Sequence, residues 1–304
     1  MQNIDQLSLN FSEDSLFLLN ICLAIIMYGI ALDIKVADFK NVLKNPKGAL
    51  VGLFSQFVAL PLLTFLLIYL LNPSPSIALG MMLVAACPGG NISNFLSHLS
   101  GSNAALSVSL TAVATFLSLF FTPLNLELYA RLYPPTAALL NEISISPLEV
   151  IKTILTIIAI PLILGILTQY KLPRFASKAA PVLKVLSILI FLAFVAVAFF
   201  NNFQLFLDYI QAVIILVFIH NLLAYLTGFS LGKIFQLPSR DCRTLAIETG
   251  IQNSGLGLVL IFAFFEGLGG MALVTAWWGI WHIISGLAVA FFWSRYKAKS
   301  LAAP

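Results

Sequence analysis

The sequence predicts an all-α integral membrane protein of nine transmembrane helices. Three observations carry this reading. First, 60% of the 304 residues are hydrophobic and 9% are charged, against roughly 25% charged in soluble domains. Second, nine apolar runs reach the roughly 17–25 residues needed to cross a hydrocarbon core. Third, basic residues fall on alternate joints between those runs. So few charges cannot coat a soluble fold, so lipid is the solvent for most of the chain. The net charge of +4 reads as basic residues on one membrane face, not as a nucleic-acid surface.

The elements follow in order. Residues 1–13 are polar and include Asp5 and Glu13. They lack the basic start of a secretory signal and are placed outside the cell. Apolar runs at 14–33, 47–71, 76–100 and 103–122 form a first repeat, 14–122. Residues 123–146, with Pro134 and Pro135, read as an outer linker. Runs at 147–170, 180–201, 205–235, 242–265 and 270–294 make a second repeat, 147–294, and 295–304 is a cytoplasmic tail. With the N-terminus outside and the C-terminus inside, 14 of the 16 Lys and Arg residues reach the cytoplasmic side. Arg131 lies in the outer linker, and Lys152 sits near the outer end of the fifth span. One span more or fewer would spoil this separation. Cys22, Cys87 and Cys242 lie far apart, which suits neither a disulfide framework nor a zinc site.

Spans one to four resemble spans six to nine in order and in their interruptions. The third span carries Cys87-Pro88-Gly89-Gly90-Asn91-Ile92-Ser93-Asn94, and the eighth carries Glu248-Thr249-Gly250-Ile251-Gln252-Asn253-Ser254-Gly255. Each places Gly, Asn and Ser inside an apolar helix. Each element stands five spans before its partner, an odd offset, so the copies run in opposite directions. That is the inverted repeat of secondary transporters.

Glu248 is the one acidic residue placed well inside a span. A carboxylate at that depth costs a few kcal/mol or more, so it must be protonated, paired or cation-bound. No Lys or Arg is expected at its depth, which favours an ion. The bland alternative is a side chain reaching for the interface, toward Arg243. Pro88 removes a backbone donor, and Gly89-Gly90 weakens the helix further. A break there frees carbonyls that suit a hard cation. It also leaves a half-helix N-terminus near Asn91 to Asn94, which suits an anion. The same logic applies at 250–255, and close packing through small residues is the alternative at both. Ser107 and Thr111 share a helical face and could complete an oxygen cage with Ser93, Asn94 and Glu248. Taken singly, such hydroxyls bond the carbonyl one turn back. Gln56 is a buried amide, either interhelical glue or a ligand. His98 reads as interfacial, His220 as a hydrogen-bonded packing residue, and His282 as a residue that could border a cavity.

These motifs, together with Met27 to Phe39, the run Ala105 to Thr111 and Trp281-His282-Ile283-Ile284-Ser285-Gly286, resemble the bile acid:sodium symporter family over nearly the whole chain. The resemblance implies a nine-helix member lacking an additional first helix. Its panel domain would come from spans one, five and six. Its core domain would come from the rest, with the third and eighth spans crossing at their breaks. It implies two sodium ions. The first would use Ser93, Asn94, Ser107, Thr111 and Glu248. The second would use Gln56, Glu248, Gln252 and the backbone carbonyls of Thr249 and Ile251. Asn91, Asn253 and His282 would border the substrate. Several members carry a small residue where Asn91 stands, and Asn where Ile283 stands; these departures bear on substrate identity. The implied activity is sodium-coupled uptake of an organic anion, a bile acid or a small carboxylate such as a 2-oxo acid or pantoate. No protein partner is implied. The alternative is a cation/proton antiporter using Glu248 as its exchange carboxylate. An enzyme is disfavoured, because the sequence holds no His-Glu-x-x-His pattern and Ser93 with His98 lacks an orienting acid.

Overall fold

A computed structural model describes residues 4–6, 24–44, 46–142, 159–183, 185–186, 189, 203–265 and 267–301. The described residues are overwhelmingly helical. We number the helices α1 (24–31), α2 (Val36–Lys44), α3 (Pro46–Phe54), α4 (Leu60–Leu71), α5 (Pro75–Ala86), α6 (Ile92–Leu99) and α7 (Ala104–Leu132). They continue with α8 (Pro134–Glu142), α9 (Ile160–Lys171), α10 (173–183), α11 (Phe203–Ile234), α12 (Ser239–Gly250), α13 (Ser254–Phe264) and α14 (Gly269–Leu301).

Four helical stretches are long and apolar enough to cross a bilayer: Pro46–Leu71, Ala104–Leu132, Tyr209–Ile234 and Gly269–Arg295. By contrast α5 and α13 are apolar but have only 12 and 11 residues. At 1.5 Å per residue each spans roughly 18 Å, short of a core about 30 Å thick. Each is joined across a break to a further short helix, α5 to α6 and α13 to α12. The expected first and fifth spans are described only from residues 24 and 159, and most of the sixth lies outside the described residues.

The second span is continuous from α3 to α4 but opens into a π turn at Ser55–Ala59. Pro61 explains part of this. It has no N–H, so the carbonyl of Phe57, four residues back, loses its helical donor. The Asn125 side-chain amide replaces it, donating to that carbonyl at 2.9 Å.

The expected outer linker, 123–146, is helical over its described part. Helix α7 runs straight through Pro123 to Leu132, and α8 follows. A proline frees one carbonyl, and the sequence beyond it is rich in helix formers. Glu127 and Arg131 also pair across one turn at 2.5 Å.

Lipid and protein faces separate cleanly on α11. Ile215, Phe218, Leu222 and Leu226 are exposed, while Val213, Val217, His220, Asn221 and Ala224 are buried. The exposed stripe is apolar, as a bilayer requires. Inside, helices meet backbone to backbone at glycines. A Cβ on Gly165 of α9 would fall 2.4 Å from the Ala31 Cβ of α1. One on Gly228 of α11 would fall 2.2 Å from the Leu245 carbonyl oxygen of α12. At the N-terminus, Ile4 is buried and Asp5 accepts the Ser76 N–H at 2.7 Å. It places an acid at the first turn of α5, where a helix N-terminus favours one.

Candidate functional site

The two breaks meet. Gly89 and Gln252 form an isolated antiparallel bridge. The Gly90 N–H donates to the Ile251 carbonyl at 2.8 Å, and the Asn253 N–H donates to the Pro88 carbonyl at 2.9 Å. Each opened backbone thus satisfies the other. This is how non-helical chain survives at depth in a membrane protein. Polar side chains take up further carbonyls left by the breaks. Thr122 donates to Ala86 at 2.7 Å, Asn221 to Gly250 at 2.7 Å, and Gln252 to Thr249 at 2.7 Å. The half-helices then restart: Asn91 stands at the N-cap of α6, and the Asn253 side chain caps α13 by accepting the Leu256 N–H at 3.0 Å.

Glu248 lies at this junction and is fully buried. It does not reach Arg243, whose guanidinium instead lies over the Trp293 ring at 5.8 Å. Its carboxylate is met by hydroxyls. Ser93 donates to Oε1 at 2.5 Å, Ser107 reaches the same oxygen, and Thr111 lies 3.0 Å from both carboxylate oxygens. Asn94 Oδ1 completes the group, 3.0 Å from Ser107 and 3.2 Å from Thr111. All five residues of the first expected sodium set are therefore joined in one hydrogen-bonded cluster.

Proton counting shows what this cluster suits. Three hydroxyls supply three protons. The acceptors in reach are two carboxylate oxygens, the Asn94 carbonyl oxygen and the Ser107 backbone carbonyl, which lies 3.0 Å from Thr111. More lone pairs converge than donors can fill. One carboxylate among neutral oxygens is the ligand type of a hard cation. Among the described residues no three His, Cys, Asp or Glu gather as a softer metal would require.

The second expected set lies on the other side of the same carboxylate. The Gln56 amide donates to the Glu248 carbonyl and accepts the Gly89 N–H, both at a long 3.4 Å. Gln252 Oε1 is buried without a hydrogen-bond partner, an unfilled acceptor beside the Thr249 and Ile251 carbonyls. Gly89 is required here, because a Cβ would sit 2.8 Å from Glu248 Oε2. The residues expected to border substrate are more dispersed. Asn91 and Asn253 stand at the two restarts. His282 is buried on α14, one turn before Ser285, and its Nδ1 has no partner. A cleft of about 130 Å³ beside α1, α6 and α7 is lined by Asn91, Asn94 and Thr111, with Asp33 and Asp38. Asn94 and Thr111 of the oxygen cluster thus lie on its wall.

Sequence reasoning passed over several supports. Asn125, Thr122 and Asn221 each fill a carbonyl vacated by a proline or a break. Their signal is available: a lone amide or hydroxyl in an apolar helix, with an orphaned carbonyl elsewhere. Its partner cannot be assigned without the fold. The π turn that holds Gln56 had no sequence signal beyond Pro61.

The profile of the Sodium Bile acid symporter family matches residues 20–209. The chain is 33% identical over 299 residues to the "Uncharacterized sodium-dependent transporter YocS" of Bacillus subtilis, covering 97% of this chain and 90% of that protein. It is 30% identical over 282 residues to the "Probable sodium/metabolite cotransporter BASS1, chloroplastic" of Arabidopsis thaliana, covering 92% and 67%. It is 31% identical over 240 residues to the human "Ileal sodium/bile acid cotransporter", covering 78% and 67%.

Proposed function

The chain belongs to the Sodium Bile acid symporter family, and from that premise we propose that it couples inward sodium flux to uptake of an organic anion by alternating access. It is a sodium-dependent membrane transporter and not an enzyme. The observation that carries the finer reading is the proton-poor oxygen cluster around a fully buried Glu248. A cation arriving there offsets a charge that is otherwise costly at depth.

In this reading two sodium ions are co-substrates. One is held by Ser93, Asn94, Ser107, Thr111 and Glu248. The other is held by Gln56, Glu248, Gln252 and the carbonyls of Thr249 and Ile251. Both share Glu248 and both touch the crossing, so occupancy stiffens the two restarts at Asn91 and Asn253. The N–H groups and partial positive charge of those half-helices then hold a carboxylate or sulfonate, with His282 nearby. Sodium and anion favour one conformation, which is what coupling requires. The chain crosses the cell membrane nine times, N-terminus outside, as two inverted repeats, 14–122 and 147–294. A core moves against a panel built from spans one, five and six. Two sodium ions per monovalent anion carry net charge, so an inward-negative potential adds about 2.3 kcal/mol per charge per 100 mV. The relatives named for bile acid and for metabolite cotransport frame the substrate search as bile acids against small carboxylates such as 2-oxo acids and pantoate.

The test is uptake into proteoliposomes of a panel of labelled anions under an imposed sodium gradient. We expect one class of anion to accumulate with sodium and not with potassium. Sodium-driven proton movement without any organic anion would instead indicate exchange through Glu248 and would overturn the symport reading.

A further inference from the structure

The oxygen cluster at Glu248 is the deep end of a longer polar ladder between α7 and α12. Both helices start at the same end and run inward side by side. Asn103, Ser107 and Thr111 recur every four residues on α7. Asp241, Thr244 and Glu248 recur at three and four residues on α12. Each set therefore makes one stripe. Ser107 and Thr111 engage Glu248, as described above. The outer rung is made by Asn103 with Asp241 and Thr244. Asn103 Nδ2 donates to Asp241 Oδ1 at 2.8 Å, and the Asn103 N–H donates to Thr244 Oγ1 at 2.9 Å. Asn103 Oδ1 meanwhile caps α7 itself, accepting the Leu106 N–H at 3.1 Å. One amide thus fixes the start of α7 and ties it to α12. Asp241 is 4% exposed and Thr244 is fully buried, so this rung is built into the interface and is not a surface contact.

We propose that Asp241 is a positioning residue for sodium: through Asn103 it sets the register of α7 on α12, and so brings the Ser107 and Thr111 hydroxyls to Glu248. The inference rests on the sodium reading of that cluster. Asp241 lies seven residues before Glu248, about 10 Å along the helix, and belongs to neither proposed sodium set. Its whole effect passes through the placement of α7. An acid in the first turn of α12 is also favoured by the helix N-terminus. That general preference does not call for an amide donor from another helix, and it predicts a different response to mutation.

The test measures sodium half-saturation separately from maximal uptake in proteoliposomes, with thermal stability of each variant recorded. Asp241→Ala removes the acceptor. Asn103→Ser keeps a good N-cap but removes the arm that reaches Asp241. We expect each to raise sodium half-saturation about tenfold, with maximal uptake at saturating sodium within about twofold of the parent. Asp241→Asn keeps an acceptor oxygen and is expected to rescue half-saturation to within about twofold. In a Ser107→Ala background, Asp241→Ala is expected to add far less than it does alone, because the hydroxyl it positions is gone. Unchanged half-saturation in Asn103→Ser overturns the proposal, whether or not Asp241→Ala folds. So does an Asp241→Asn variant as impaired as Asp241→Ala, which would assign the effect to charge. If Ser107→Ala alone leaves sodium half-saturation unchanged, the sodium reading of the cluster fails instead, and the two failures are told apart.

Discussion

Two interfaces in this protein share a layout and differ in chemistry. In one, the half-helix α12 lies against the start of the long helix α7. In the other, the half-helix α5 lies against the start of the long helix α14. The first is held by polar rungs from Asn103 with Asp241 down to Thr111 with Glu248. The second is held by close backbone approach. A Cβ on Gly80 would fall 2.9 Å from the Met271 Cα, and one on Gly270 would fall 2.7 Å from the Ser76 Cβ. From Ser76 to Ala86 every residue of α5 is buried, and it carries no acid or base. The same fold element is thus used once as a wet, oxygen-rich seam and once as a dry, tight one. The lesson is about placement. Buried carboxylates line the first seam at Asp241 and Glu248, whereas α5 meets an acid only at its first turn, where Asp5 accepts the Ser76 N–H, so a cation has its reason to stop at the first seam.

Four substitutions break or sharpen that contrast. The largest effect on stability is expected at the dry seam. Gly80→Val forces branched carbons onto the Met271 backbone, and overpacking of this kind costs about 3 kcal/mol. A thermal melt should drop steeply, and by the same amount with sodium or potassium present. At the wet seam the order reverses, with ligand response lost before stability. Ser107→Ala deletes one oxygen from the cluster at the price of a small side chain. Sodium half-saturation in uptake should rise about tenfold, equivalent to roughly 1.4 kcal/mol, while the melt without sodium moves little. Gly89→Ala puts a methyl 2.8 Å from Glu248 Oε2. The carboxylate must shift, so sodium half-saturation should rise about five- to tenfold, near 1 kcal/mol, with no comparable loss at a glycine remote from the crossing. The smallest change is a gain. Thr275, on α14 beside Gly257 of α13, has a buried hydroxyl with no hydrogen-bond partner. Thr275→Val exchanges it for a methyl of similar shape and should raise stability by up to about 1 kcal/mol, read as a higher melting temperature with unchanged uptake.

The same contrast explains what could be read from residues alone. Pro88-Gly89-Gly90 announces an interruption because proline and paired glycines weaken any helix, whatever surrounds them. Glu248 announces a site because a lone acid in oil needs a partner. Both are local arguments, and both segments are interrupted or buried as expected. The dry seam was invisible, since Gly80 and Gly270 look like any small residues in an apolar helix until the opposing backbone is known. The outer rung was equally hidden. Asn103 and Asp241 are 138 residues apart, and each reads alone as an ordinary residue at a helix start. Pro123 works the other way. Proline usually marks a stop, yet a single freed carbonyl did not end α7, and the Glu127–Arg131 pair supports the helix beyond it.

The central claim is that the buried carboxylate at the crossing is a sodium ligand. The direct measurement is a sodium titration of the purified protein, without organic anion, against potassium at equal ionic strength, comparing the parent with Glu248→Gln. A saturable, sodium-specific rise in melting temperature is expected for the parent, since binding to the folded state alone raises stability, and Glu248→Gln should show none of it. An equal sodium-specific rise in Glu248→Gln would contradict the account.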